Sequence, residues 1–222
     1  MRLSAATWTD ADAVERRLLV VPLGSLEQHG PHLPMDTDLR IAVAVAERAC
    51  AGRAGTALAP GVPIGASGEH ADFPGTLSVG TDALAAYLLE LGRHASRYWP
   101  ALLLVNAHGG NGPAVQTAVR RLRYEGRDAS AWHASIPGGD AHAGRTETSL
   151  MLAIAPNLVR PEAAAPGTTA PITDLMPRLR TDGVRAVSPT GVLGDPTGAT
   201  AEEGEHLLSD LADRLSQHLD PA

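Results

Sequence analysis

Lysine is absent from this sequence: all 18 basic residues are arginine. The chain therefore supplies no Schiff-base lysine, no pyridoxal-phosphate anchor and no phosphate-loop lysine. Cys50 is the single cysteine, which excludes an intrachain disulfide, a cysteine zinc site and a cysteine-ligated iron–sulfur cluster, and fits a reducing compartment. Aromatics make up 3% of residues, too few for an aromatic-lined sugar or nucleic-acid groove. No apolar stretch reaches the roughly 18 residues of a membrane span, and the first residues lack the apolar core of a secretory signal. The formal charge is −7, with 25 acidic residues dispersed along the chain, so there is no basic footprint for nucleic acid or anionic lipid. The expectation is a soluble, cytoplasmic protein without nucleic-acid or membrane partners, folded as one domain over residues 1–222.

What is present reads as alternating strands and helices. Leu18–Leu23 (LLVVPL) and Ala101–Asn106 (ALLLVN) are short, continuous apolar runs, the pattern of strands buried on both faces. Asp38–Ala51 reads as a helix with acids at its start and Gly52 beyond its end; Thr81 is placed to cap a second helix, and Pro113 suits the first turn of a third. Asp128–Ala134 reads as another strand, Glu147–Ala155 as a helix, and about Ala201–Leu219 as a closing helix with Leu207, Leu208, Leu211 and Leu215 inward. This order predicts a three-layer α/β/α fold around a mostly parallel central sheet. The segment Arg160–Thr200, rich in proline and glycine, shows no clear periodicity and is expected to cover a site or make subunit contacts.

In a parallel sheet, ligands collect where loops leave the carboxyl ends of the strands. After the first strand, SLEQHGPHLPMDTD carries Glu27, His29, His32, Asp36 and Asp38; after ALLLVN, the turn AHGGN carries His108; after the next strand, GGDAHAGRTETS carries Asp140, His142 and Glu147. Three loops thus deliver imidazoles and carboxylates to one edge. Mixed nitrogen and oxygen donors suit Zn²⁺, Mn²⁺ or Fe²⁺. Two divalent ions, three carboxylates and a bridging hydroxide would make a nearly neutral two-metal hydrolytic centre. Asp38 taken alone is an ordinary helix N-terminal acid, whereas a Glu-x-His pair directly after a buried strand has no capping or packing role. His32, His70, Asp140 and His142 are open between site roles and structural hydrogen bonds. His94, His206 and His218 fall on helices as solvated residues, and His133 has no assignment.

PLGSLEQHGPHLPMDTD, NAHGGN and HAGRTETS together resemble the signatures of the creatininase family of metal-dependent amidohydrolases, in order from about Leu19 to Pro156. GASGEHADFPGT and GVLGDPTGAT extend the resemblance and look most like a peptide-trimming branch of that family. The resemblance implies a binuclear centre: Glu27, Asp38 and His108 on one metal, and His29, Asp38 and Glu147 on the other, with Asp38 bridging. Creatinine-hydrolysing members carry a glutamate where this chain has Gly110, so Glu147 is the implied supplier of that ligand and creatinine is disfavoured as substrate. The implied reaction is attack of a metal-bridging hydroxide on a peptide bond, releasing a C-terminal Val-Tyr dipeptide from a modified precursor peptide. His142 is the expected proton carrier or a partner of Glu147, Arg145 is a candidate for the substrate's terminal carboxylate, and a homo-oligomer is implied. The alternatives are a small-molecule amidohydrolase or formamide deformylase of the same family, and a metal-holding scaffold without catalysis.

Overall fold

The computed structural model describes residues 1–220. Four strands, β1 (Leu18–Leu23), β2 (Thr56–Leu58), β3 (Ala101–Asn106) and β4 (Asp128–His133), form one parallel sheet in the order β2-β1-β3-β4. Seven α-helices accompany them among the described residues: α1 (Trp8–Ala13), α2 (Thr37–Cys50), α3 (Thr81–Ala95), α4 (Gly112–Tyr124), α5 (Arg145–Ile154), α6 (Ile172–Val187) and α7 (Ala201–Leu219).

The apolar runs of β1 and β3 are continuous because both faces are covered. Leu19, Val21, Leu102 and Leu104 pack with Leu84 and Leu88 of α3 and Val115 and Leu122 of α4. Val20, Leu103 and Val105 point to the opposite face, against Ile41 and Val45 of α2, Leu150 of α5 and Leu208, Leu211 and Leu215 of α7. Burial of each such Leu or Val contributes about 1.5–3 kcal/mol, so the two clusters hold the three-layer α/β/α arrangement expected from the sequence.

Register aligns the strand ends. Leu23 lies beside Asn106, and Asn106 beside His133, so the loops leaving β1, β3 and β4 emerge at one level. β1 leads through α2 to β2 on one side, whereas β3 leads through α4 to β4 on the other. The crevice at which the winding direction reverses therefore lies at the ends of β1 and β3, where open parallel sheets bind ligands.

α5 and α7 approach closely because residue 204 is glycine: a Cβ there would lie 1.8 Å from the Ser149 carbonyl oxygen. Gly204→Ala is expected to lower stability by about 1–3 kcal/mol, the usual cost of overpacking. Urea unfolding measures this; a loss below about 0.5 kcal/mol, the usual range of surface substitutions, would show that the helices separate without cost.

Two local expectations need correction. The cap of α3 is Gly80, in the left-handed region at φ 77°, and Thr81 is the first helical residue. The stretch Arg160–Thr200 contains α6, which the sequence hides by placing Pro177 inside it and a non-helical Gly183 (φ 76°) near its end; α6 packs on the short 3₁₀ turn Gly68–His70. β2 and α1 also escaped the reading, although Thr7 and Asp10 form a reciprocal capping box at the start of α1.

Candidate metal centre

The loops after β1, β3 and β4 bring Glu27, His29, Asp38, His108, His142 and Glu147 together. Glu27 and His29 are fully buried and Asp38 is 2% exposed. His29 Nδ1 donates to the Glu27 carbonyl oxygen at 3.1 Å, which turns Nε2 toward Asp38 Oδ1, also 3.1 Å away. A backbone acceptor on one ring nitrogen fixes the tautomer and aims the other, as in metal-ligating histidines. His108 is held likewise: Nε2 lies 3.0 Å from the Ala66 carbonyl oxygen, and Nδ1 lies 3.2 Å from Asp38 Oδ2. Ser25 Oγ donates to the same oxygen at 2.7 Å.

Two triads emerge whose ligand atoms lie within 4.8 Å of one another: Glu27, Asp38 and His108, and His29, Asp38 and Glu147. Asp38 is common to both. A third grouping, Glu27, His29 and His142, shows that His142 also reaches the centre; its ring lies 4.3 Å from that of His29. Glu147 Oε2 accepts the Ala143 N–H at 2.6 Å. Ala143 is the one non-glycine residue among the described residues with positive φ, at 52°, so strain is held where it aims His142 and Glu147.

The donor set fits divalent cations. Both carboxylate oxygens of Glu27 are buried without a hydrogen-bond partner, although imidazole nitrogens of His70 and His108 lie 3.3 and 3.2 Å away, outside hydrogen-bonding alignment. Leaving such acceptors unsatisfied is costly, and a cation satisfies them. Without one, protons do the work. Burial alone would push His29 down, but Asp38, Glu147 and Glu27 raise its pKa to about 10. His108 is raised well above its ordinary value by Glu27 and Asp38 against the same burial. Burial disfavours the Glu27 carboxylate, yet His108 and His70 pull its pKa to about 2, and burial pushes Glu147 up to about 7.

His70 joins the centre: its Nδ1 accepts from Gln28 Nε2 at 2.9 Å and its Nε2 faces Glu27. His32 lies behind it, with Nε2 2.9 Å from Thr148 Oγ1 on α5. Asp140 accepts the Arg145 N–H at the start of α5 and so has a structural role. Arg145 itself is bound to Glu203, with Nε 2.8 and 3.0 Å from the two carboxylate oxygens; Ser149 Oγ donates to the same group, tying α5 to α7. His133 receives a hydrogen bond from Asn106 Nδ2 at 3.1 Å. His94, His206 and His218 are exposed on their helices.

Sequence reading missed Glu69. Its Oε1 lies 3.6 Å from His108 Nε2, and a Cβ at Gly110 would meet that oxygen at 2.5 Å and the Ala66 carbonyl oxygen at 2.4 Å. No side chain fits at 110, so the glutamate absent there is excluded sterically; the sequence signal was the Glu69-His70 pair, visible but without a strand to place it.

Two cavities reach the centre. One of about 260 Å³ is lined by Asp38, His108, His142 and Glu147; the other, about 890 Å³, runs from Glu27, His108 and His142 to α6. The family model of creatininase, described as creatinine amidohydrolase, matches residues 4–219. The chain belongs to the creatininase family. It is 51% identical over 209 residues to the mycofactocin precursor peptide peptidase of Mycolicibacterium smegmatis, covering 90% of this chain and 85% of that protein. It is 32% identical over 243 residues to the creatinine amidohydrolase of Pseudomonas putida, covering 92% and 90%. The solved structure "Creatininase Mn" superposes with a TM-score of 0.81 at 27% identity, covering 98% of this chain and 96% of that one. Membership makes this chain a hydrolase of amide bonds with metal-binding groups at its sheet edge. No helix among the described residues is long and apolar enough to cross a membrane.

Proposed function

We propose that this chain is a binuclear metal-dependent peptidase that releases the C-terminal Val-Tyr dipeptide from a modified precursor peptide. The observation that carries the reading is the pair of buried triads sharing Asp38, in a chain half identical to a peptidase of that substrate class. In this reading Glu27, Asp38 and His108 hold one divalent ion and His29, Asp38 and Glu147 hold the other, Zn²⁺, Fe²⁺ or Mn²⁺. When bound, such a pair supplies a Lewis acid for the scissile carbonyl and a hydroxide nucleophile at neutral pH.

The protein's own groups do the rest. Burial, together with the neighbouring His29 and His70, holds the His142 pKa well below its ordinary value, so the imidazole rests neutral and readily gives up any proton it receives. Its Nε2 is engaged by the Gln28 carbonyl oxygen at 2.8 Å, which leaves Nδ1, 3.8 Å from Glu27 Oε1, to face the reaction. His142 Nδ1 takes the proton of the nucleophile and passes it to the departing amine. Arg145, locked to Glu203, supports the site by fixing the start of α5. The reading includes a homo-oligomer in the cytoplasm, where Cys50 stays a free thiol.

Incubating the metal-loaded protein with the modified precursor peptide and following the products by mass spectrometry tests this. Free Val-Tyr is expected, absent with Glu27→Ala and with a chelator. If the peptide stays intact while formamides are hydrolysed by the same preparation, the chain belongs to the small-amide branch.

A further inference from the structure

The larger cavity has a second end that the chemistry above leaves unused. Beyond Glu27, His108 and His142 it is walled by apolar side chains, among them Met176, Leu179 and Val184 of α6 and Leu193, and by Arg180. The two flanking arginines of α6 are engaged: Arg178 donates to the Ala186 carbonyl oxygen at 2.9 Å and pairs with Asp182 at 3.8 Å. Arg185 donates to the Asp72 carbonyl oxygen at 2.7 Å and lies over the Phe73 ring. Arg180 has neither an ion pair nor a hydrogen bond among the described residues. Arg145, by contrast, is held by Glu203 and lines neither cavity that reaches the centre.

We propose that Arg180 binds the terminal carboxylate of the peptide being trimmed, while the apolar wall of α6 receives the side chains of the leaving dipeptide. The proposal rests on the peptidase reading above and names the residue that selects the chain end. A cavity of about 890 Å³ falls within the range that takes small ligands, roughly 300–1,000 Å³, so it admits the end of a peptide rather than a folded partner. A chain end carries a charge. A guanidinium offers a carboxylate two parallel N–H donors, a geometry that an amide end does not match. Glu69, Asp72 and Asp182 line the same cavity, and Glu69 faces His108. Asp182 is taken up by Arg178, and Asp72 is the group that an N-terminal ammonium would choose instead.

The geometry also explains why α6 bends where it does. Gly183 leaves the helical region at φ 76°, and its Cβ position faces the Glu69 carbonyl oxygen at 3.1 Å. The bend seats the Arg180 turn over the loop that carries Glu69 and His70, so the cation and the metal ligands share one cavity.

The test compares the precursor peptide ending in a free carboxylate with the same peptide ending in an amide, on the metal-loaded wild type, Arg180→Ala, Arg180→Lys, Arg145→Ala and Asp72→Ala. Wild type is expected to prefer the acid. Arg180→Ala is expected to raise KM for the acid about tenfold or more, in line with loss of a charge-assisted hydrogen-bonded pair, with kcat, metal content and the amide KM little changed. Arg180→Lys is expected to recover part of the preference. Calorimetric binding of free Val-Tyr and of its amide gives a second readout, in which Arg180→Ala loses the distinction between the two. The proposal is overturned if KM rises equally for both peptides, or if Arg145→Ala or Asp72→Ala removes the preference and Arg180→Ala does not. Cleavage of both peptides at equal efficiency by wild type overturns the role of Arg180 alone; cleavage of neither overturns the peptidase reading and this proposal with it.

Discussion

Asp38→Asn is expected to abolish more than 99.9% of turnover, on the order of 10³-fold, and to remove metal from both positions, whereas Glu147→Ala retains metal at one. Asp38 is the member common to the triads Glu27, Asp38, His108 and His29, Asp38, Glu147, and each of its oxygens faces a different imidazole, Oδ1 toward His29 and Oδ2 toward His108. An amide of the same size keeps an oxygen for one side only. Its nitrogen then presents hydrogens where the other side needs a lone pair. Loss of several kcal/mol of transition-state charge stabilisation, about 4, corresponds to the stated fall in rate. Glu147 belongs to one triad only, so its removal leaves Glu27, Asp38 and His108 in place. The measurement is metal per chain by mass spectrometry of the acid-digested protein, beside turnover. Two metals retained by Asp38→Asn would show that Asp38 is not shared.

The two main strands and most of this centre were legible in the sequence for the same reason. A strand covered on both faces cannot alternate, so LLVVPL and ALLLVN stood out as unbroken apolar runs, and β1 and β3 occupy those residues. Once they are parallel neighbours, the first polar residues beyond them must share an edge, which is where Glu27, His29 and His108 lie. What stayed hidden depends on contacts far apart in sequence. Arg145 meets Glu203 58 residues later, and no local pattern marks that pairing. α6 buries only Leu175, Leu179 and Val184 and carries Pro177 and Gly183, so neither a full apolar stripe nor uninterrupted helix formers announced it. β2 is three residues long, below the length at which periodicity has meaning. The absence of a side chain at Gly110 was visible, but its reason was not: the space is filled by Glu69 from another loop.

Loading metal-free protein at pH 7 is expected to release about two protons or more per chain, because cations take over from protons already in the centre. With the imidazole of His29 held at about 10 and that of His108 well above its ordinary value, both rings are charged at pH 7 in the absence of metal. Glu147, held at about 7, is then partly protonated. Coordination requires neutral rings and an ionised carboxylate. Calorimetric titration in two buffers of different protonation enthalpy counts the protons directly. The same groups set opposite pH slopes for stability. His29 is raised above its ordinary 6.5, so its contribution to the metal-free fold is complete below 6.5 and is lost as pH climbs toward 10. Glu147 is raised from 4.5, and its contribution is lost between 4.5 and about 7. Glu27 is lowered from 4.5 to about 2, so its contribution is present above 4.5 and disappears only on acidification below it. His32 and His70, lowered to about 4, and His142, lowered well below its ordinary value, act in the opposite sense, their contributions growing as pH rises toward 6.5. The metal-free protein is therefore expected to lose Tm from about pH 7 to 8, above that opposing range. The loaded protein gains Tm over the same interval, since protons compete less with the metal as pH rises and ligand binding to the native state stabilises it. Curves that run parallel in the two forms would show that the histidine–carboxylate cluster does not exchange protons for metal.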